Sequence, residues 1–389
     1  MKSRNTIYLD HQASTPVDCC VFDEMTKYFC DLFGNPHSSD HSIGWQASHA
    51  IETAAERVAG RLGADADEIV FTSGATEANN HALLGLACRA AGGSRNRILI
   101  SAVEHKCVLE AGRVLRDRYG FLVELVPVNR NGMVDLSALE GALRDDVLVV
   151  SVMAVNNEIG TIQDIEAIGR LAREHGAVVH CDAAQAPVAI DIDGLAFHAD
   201  LVSLSGHKMH GPQGIGVLYA RRELHRRLEP LIYGGGQQNG LRSGTLPVAL
   251  CVGMAAAAEI LGRAEAEQDR SRLRARRDRF VARLLGLPWE TSLNGANSDE
   301  RHPGNASICF RGFSAQDILQ ALQPRLAAST GSACTTGIPE PSHVLRAIGL
   351  STEDAEATVR FSLGFNTTDA DLDEAVGLIS EALSSLHAS

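Results

Sequence analysis

The sequence predicts an α/β protein built on a mostly parallel sheet, and three observations carry that prediction. From about residue 65 to 225, short apolar runs alternate with helical patterns, the order that winds a parallel sheet. Each apolar run ends in polar or titratable residues, as expected where ligands collect at the carboxyl edge of an open sheet. The 389 residues, 45% apolar and 21% charged, are ordinary for a soluble globular enzyme of two or three domains.

The elements follow in order. Residues 44–62 place Ile51, Ala55, Val58 and Leu62 on one helical face, with Gly63 as the stop. Glu68-Ile-Val-Phe-Thr-Ser-Gly74-Ala75-Thr76-Glu77 reads as strand, tight turn and helix. Ala78, Ala82, Leu86 and Ala90 then recur every four residues until Gly92-Gly93. Backbone N–H groups at a helix start bind phosphate well, so Ala75 and Thr76 are candidates for a phosphate cup. No Gly-Lys-Ser/Thr follows the glycine, so this is not a Walker loop.

The strand from Arg97 ends at Glu104-His105-Lys106, where an imidazole can stack on a cofactor ring and exchange protons. The run from Asp146 ends in the amides Asn156 and Asn157. The run from Ala177 ends in Asp182, with Gln185 three residues on. A carboxylate there can pair with a pyridinium nitrogen, or simply cap the next helix.

Ser203-Leu-Ser-Gly-His-Lys208-Met-His-Gly-Pro-Gln-Gly-Ile-Gly216 is the most informative segment. It sets Lys208 just past an apolar strand, in a turn rich in glycine and in hydroxyl and imidazole donors. Pyridoxal phosphate (PLP) chemistry needs such a lysine to form a Schiff base with the aldehyde, and donors to hold the phosphate. The lysine must also lose its proton readily, so the site must depress its pKa.

Cysteines stand at 19, 20, 30, 88, 107, 181, 251, 309 and 334, with no CxxC pair and no zinc spacing. Most are expected to be small buried residues of a reduced protein. Cys334 differs. Glycine, serine, threonine and alanine surround it, with Pro339 and Pro341 beyond, which reads as a loop of about 329–342. A strand at Ala327-Ala-Ser enters it and a helix from Ser342-His343 leaves it.

Taken together, these motifs resemble the cysteine desulfurases, fold-type I PLP enzymes of the class V aminotransferase group with a long cysteine loop. The resemblance runs almost end to end. It includes Tyr8-Leu-Asp10, Phe33-Gly-Asn-Pro-His-Ser-Ser39, Asn156-Asn157-Glu158-Ile-Gly-Thr161 and Ser205-Gly-His207-Lys208. It continues through Gly234 to Thr245, Ser329-Thr-Gly-Ser-Ala-Cys334-Thr-Thr and Val359-Arg360-Phe-Ser-Leu-Gly364. Asp10-His11-Gln12-Ala13-Ser14-Thr15 departs from the usual Asp-Asn-Ala-Ala-Thr-Thr, which affects the cofactor or substrate wall.

The resemblance implies a large PLP-binding domain (15–260) with a mostly parallel seven-stranded sheet. It also implies a smaller α/β domain from 1–14 and 261–389. Lys208 would carry PLP, Asp182 hold the pyridine nitrogen, Gln185 the phenolic oxygen, and His105 stack on the ring. Thr76, Ser205 and His207 would hold the phosphate, joined by Thr245 of a neighbouring subunit in a homodimer. Asn157 and Arg360 would clamp the substrate carboxylate. Cys334 would take the sulfur of L-cysteine as a persulfide, alanine would leave, and a sulfur-acceptor protein would receive the sulfur. Iron–sulfur scaffolds, tRNA thiolation and DNA phosphorothioation all use such enzymes. A selenocysteine lyase, another class V PLP enzyme and a non-catalytic PLP-binding scaffold are the alternatives.

The net charge of −13 argues against a general nucleic-acid surface. The basic run from Arg270 to Phe280 is expected to be a solvated helix face, or else a docking surface for an acidic acceptor. No stretch is long and apolar enough to span a membrane and no signal core opens the chain, so a cytoplasmic place is expected.

Overall fold

The computed structural model describes residues 6–331 and 341–388. Twelve strands are present among them. They are β1 (Ile7–Tyr8), β2 (Ile69–Thr72), β3 (Arg97–Ser101), β4 (Leu122–Val126), β5 (Val147–Ser151), β6 (Val178–Asp182), β7 (Leu201–Ser205), β8 (Gly216–Ala220), β9 (Thr291–Leu293), β10 (Asn305–Phe310), β11 (Leu326–Ala327) and β12 (Thr358–Ser362). Seven form one sheet in the order β2-β8-β7-β6-β5-β3-β4. Only β8 runs against its neighbours; the other adjacent pairs are parallel. β2 therefore points the same way as β7. The carboxyl ends of β2, β3, β5, β6 and β7 open on one edge.

Fully buried runs explain the parallel part. β5, β6 and β7 bury every residue, as strands covered by helices on both faces must. One large apolar cluster packs Val150, Val179, Val202 and Val217 against helices including Ser42–Leu62 and Val248–Leu261. A second packs Ile98, Leu148, Val178 and Leu218 from the same sheet against Leu83, Leu86 and Leu115. A third core holds the antiparallel sheet β12-β10-β9 with helices Ala264–Leu285 and Asp369–Ala388, and Leu9 joins it from the N-terminal segment. β1 pairs parallel with β11, seating the start of the chain beside residues more than 300 positions away.

Two sequence expectations are refined. The helix expected at 44–62 spans Ser42–Leu62, with His41 capping through Nδ1 to Gly44 N–H at 3.1 Å and Gly63 closing it at φ 72°. The four-residue repeat 78-82-86-90 is wider than the 3.6 of an α-helix, and the structure absorbs the drift in a π-helical turn at His81–Gly85. Ala78, Ala82 and Leu86 are thereby all fully buried.

Two expectations are corrected. Among the eight described cysteines only Cys181, Cys251 and Cys309 are buried. Cys19, Cys20 and Cys30 are exposed at the ends of the amphipathic helix Cys19–Cys30, which turns Val21 and Met25 inward instead. The basic run is a solvated face only in part. Arg270 and Arg277 are 4% and 1% exposed and donate to carbonyls, Arg270 to Pro187 and Leu261 at 3.0 and 2.8 Å and Arg277 to His302 at 3.0 Å. Arg272, Arg274, Arg279 and Arg283 pair with Asp269, Asp299, Asp369 and Asp373. The helix buries two of its cations and engages these four others in ion pairs.

Candidate active site

A cavity of about 820 Å³ opens at the carboxyl edge of the seven-stranded sheet. It gathers Ala75, Thr76, His105, Asn157, Asp182, Gln185, Ser205, His207, Lys208 and Arg360, ten sequence-predicted site residues from distant parts of the chain. Thr245 is exposed and is not among the residues lining this cavity. Cys334 lies outside the described residues; Ser329 and Gly331, just before them, line the cavity. A cleft of similar size, about 890 Å³, lies between Arg311–Gln316 and Ser351–Ala357, but no lysine, histidine or cysteine among the described residues lines it.

Each side chain is placed by the strand that precedes it. Lys208 closes a single 3₁₀ turn after β7, and its Nζ donates to the carbonyls of Gln12 at 2.5 Å and Ala13 at 2.8 Å. Burial pushes its pKa down to about 8, and the Arg360 cation pushes the same way against Asp10 and Asp182. This is the depression that the sequence required of a nucleophilic lysine. Ser205 Oγ lies 3.1 Å from His207 Nδ1, and Thr15 ties the turn down by donating to His207 O from both N–H and Oγ1.

Asp182 ends β6, is 4% exposed and accepts from Ala184 N–H at 2.9 Å and Asn79 Nδ2 at 2.7 Å. Gln185 donates to Gln12 O at 2.9 Å, and Gln12 Oε1 accepts from Asn305 Nδ2 at 2.6 Å. The Gln12 carbonyl thus receives both Lys208 and Gln185. That carbonyl was invisible to a reading of side-chain types.

After β2, Gly74 (φ 152°) caps the helix Ala75–Asn80 with no side-chain partner. Its first turn lines the cavity, where its N–H groups would face a bound anion. Gly216 of β8 packs directly beneath. A Cβ on it would come within 2.6 Å of the Gly74 backbone and of Leu204 O. Glu77 braces the turn, accepting from Ser73 N–H at 2.8 Å and from Arg242 Nε at 2.9 Å.

His105 caps the helix Lys106–Tyr119 through Nδ1, which accepts from Cys107 N–H at 3.2 Å. The surrounding protein lowers the imidazole pKa through desolvation, which Asp182 opposes. Behind it Glu104 is fully buried and accepts from Met153 N–H; burial drives its carboxyl pKa well up and the Asp182 charge adds to that. Arg360, from β12, donates to Asp10 Oδ1 at 2.6 Å, Ser329 Oγ at 2.8 Å and Asn157 O at 2.7 Å.

Sequence reasoning missed Asn79, Glu104 and Cys107 as parts of this site, and within the wall segment 10–15 it gave Asp10 and Gln12 no role of their own. Asn79 and Cys107 had a local signal. Asn79 lies three residues past Thr76 on the same helix, hence on nearly the same face, and Cys107 lies two past His105.

The arrangement offers a buried reactive amine, a fixed carboxylate, an anion-binding turn and a guanidinium fork around one cavity. The family model described as aminotransferase class V matches residues 7–375. The chain is 46% identical to cysteine desulfurase IscS of Rickettsia felis over 381 residues, covering 98% of this chain and 92% of that one. Among solved structures, a NifS-like protein superposes with a TM-score of 0.90 at 34% identity, covering 98% and 99% of the two chains. A structure described as SspA in complex with cysteine superposes with a TM-score of 0.79 at 38% identity, covering 92% and 98%.

Proposed function

Because the chain belongs to the class V aminotransferase family and, within it, to the PLP-dependent cysteine desulfurases, we propose that the cavity takes PLP and L-cysteine and that Cys334 receives the sulfur. The single observation carrying this reading is the convergence of Lys208, Asp182, His105 and Arg360 on one cavity.

The donor set fits PLP. Lys208 is the buried amine for its aldehyde, Asp182 the anion for its ring nitrogen, and Gln185 a donor for its phenolic oxygen. Ala75, Thr76, Ser205 and His207 supply the phosphate cup, and His105 the stacking ring. When bound, PLP supplies an electron sink that loosens the Cα–H and carbon–sulfur bonds of an amino acid.

The chain's own residues do the rest. Arg360 and Asn157 hold the substrate carboxylate. Lys208 Nζ, once free, takes the Cα proton, since burial lowers the pKa of its amine to about 8. The Cys334 thiolate attacks the substrate sulfur; the S–S bond forms as the C–S bond breaks, and its electron pair stays with the fragment that leaves as alanine.

The same reading makes the protein a cytoplasmic homodimer in which Thr245 reaches the partner's phosphate site. It divides the chain into a large domain, 15–260, and a small one, 1–14 with 261–389; the separate core around β10 and β12 supports that division. No described helix is long and apolar enough to cross a membrane. The acceptor is a protein of an iron–sulfur, tRNA-thiolation or DNA-phosphorothioation pathway.

Intact-protein mass spectrometry of the PLP-loaded enzyme after L-cysteine, without reductant, tests the reading. Sulfur added to wild type with alanine released, and none added to Cys334→Ala, supports it. Sulfur landing equally on the variant removes Cys334 from the mechanism. Turnover of selenocysteine alone would make the enzyme a lyase.

A further inference from the structure

Two residues that the desulfurase reading leaves without a task connect two that it uses. Asn79 is completely buried at the floor of the cavity, and its Nδ2 lies 2.7 Å from Asp182 Oδ2 and 3.3 Å from Cys107 Sγ. Cys107 Sγ in turn lies 3.0 Å from His105 Nδ1. Asp182, Asn79, Cys107 and His105 thus form one unbroken chain of hydrogen bonds.

The donors in that chain are fixed by elementary counting. An ionised carboxylate only accepts, so the group facing Asp182 is the Asn79 amide nitrogen; the flipped amide would set oxygen against oxygen. Asn79 Oδ1 is left buried without a partner. A buried acceptor left unmet is unfavourable, and it marks the two N–H bonds as what holds the amide in this orientation. The sulfur accepts from Asn79, and the Thr76 hydroxyl reaches it as well. A thiol has one proton, and burial keeps it on the sulfur by raising the Cys107 pKa to about 12. Its remaining polar neighbour is His105 Nδ1.

That nitrogen already accepts the Cys107 backbone N–H at 3.2 Å, and a backbone amide can only donate. Nδ1 therefore carries no proton, and the neutral ring carries its proton on Nε2. The groups acting on the ring from other elements are Asp182, Lys208, Glu158 and His343. Asp182 and Glu158 favour the imidazolium and Lys208 and His343 oppose it, so the ring's ionisation is a balance of several elements while its tautomer is set by Cys107 alone.

We propose that Cys107 and Asn79 are positioning residues, which hold His105 as the Nε2–H tautomer and lock the Asp182 carboxylate through one shared hydrogen-bonded chain. This rests on the desulfurase reading of the cavity. His105 is then a ready proton donor through Nε2 and cannot serve as a base through Nδ1 without breaking both the helix cap and the thiol bond. Because Asn79 grips both ends, a change at the Asp182 carboxylate reaches the imidazole without passing through the cofactor.

The test is histidine side-chain ¹⁵N NMR of the PLP-loaded enzyme, with His105→Gln to identify the His105 signals and with Cys107→Ala, Cys107→Ser and Asn79→Ala compared. Wild type should show Nε2 protonated and Nδ1 bare. Cys107→Ala keeps the backbone N–H on Nδ1 and loses only the thiol bond, so Nδ1 should stay bare while its resonance shifts, and kcat should fall about tenfold, the scale of one hydrogen bond, with KM nearly unchanged. Cys107→Ser, which keeps a donor and an acceptor, should restore both. Asn79→Ala should also weaken PLP binding, measured by equilibrium dialysis. A proton on Nδ1 in wild type overturns the proposal without any variant, as does a His105 pattern indifferent to Cys107→Ala. Failure of wild type to release alanine from L-cysteine would instead remove the desulfurase reading, whichever tautomer is found.

Discussion

Arg360 Nη2 and Asp10 Oδ1 lie 2.6 Å apart, with 5% and 19% of their side chains exposed, and they join two strands' worth of chain 350 residues apart. The guanidinium assigned to the substrate carboxylate already carries a carboxylate of the protein. Its fork is oriented by Asp10, Ser329 and the Asn157 carbonyl, so substrate meets a cation held in place. Asp10→Asn should lower stability by about 3 kcal/mol, since a largely buried cation loses its counter-charge. It should also push the Lys208 pKa below about 8, because Asp10 raises it now. Denaturant unfolding and the pH dependence of PLP uptake measure the two effects.

PLP uptake by the apoenzyme should itself titrate. Below pH 8 Lys208 Nζ is an ammonium with no lone pair for the aldehyde; above it the amine is free. The rate of formation of the PLP absorption band should rise with pH through a midpoint near about 8, not near the ~10.4 of free lysine. Arg360→Lys, which removes a second cation's fork but keeps its charge, should leave this midpoint in place and raise KM for L-cysteine by about tenfold or more.

Gly216→Ala should damage the phosphate turn from beneath. Its methyl group would sit 2.6 Å from backbone atoms on two sides, and backbone does not yield as a side-chain end does. A loss of about 1–3 kcal/mol in folding stability is expected, with a clear fall in PLP affinity measured by dialysis.

Acid should destabilise the fold through its buried histidines. Burial lowers His11, His81 and His180 to about 4 and His302 to about 3. The unfolded chain binds these protons near ~6.5. Between the two values the unfolded state holds more protons, so this stability is present above pH 6.5 and is lost as pH falls through 4. Melting temperature by calorimetry should drop on going from pH 7.5 to 5. His180→Gln, which can keep partners for Ser151 and Ser203 at 2.8 and 3.2 Å, should flatten that drop.

Much of the site was legible because β3, β5, β6 and β7 each end an apolar run in residues whose chemistry differs sharply from what precedes them. Asp182 and Lys208 declare themselves that way. Asp10 does not, because its partner is 350 residues distant and pairing at that range leaves no local pattern. The Gln12 and Ala13 carbonyls are illegible in principle, since every residue has one. The basic run shows the same limit from another side: Arg279 looks solvated by period, yet the acid that meets it, Asp369, sits on a helix that only the fold brings alongside.

β8 is the one reversed strand of its sheet, wedged between β2 and β7. The phosphate turn after β2 and the lysine turn after β7 become neighbours only once it has slotted in, over separations of more than a hundred residues. Contacts of such high order form slowly. During folding the cofactor therefore arrives as a late ligand: it cannot nucleate the sheet, and its colour should lag behind the recovery of secondary structure in a refolding trace.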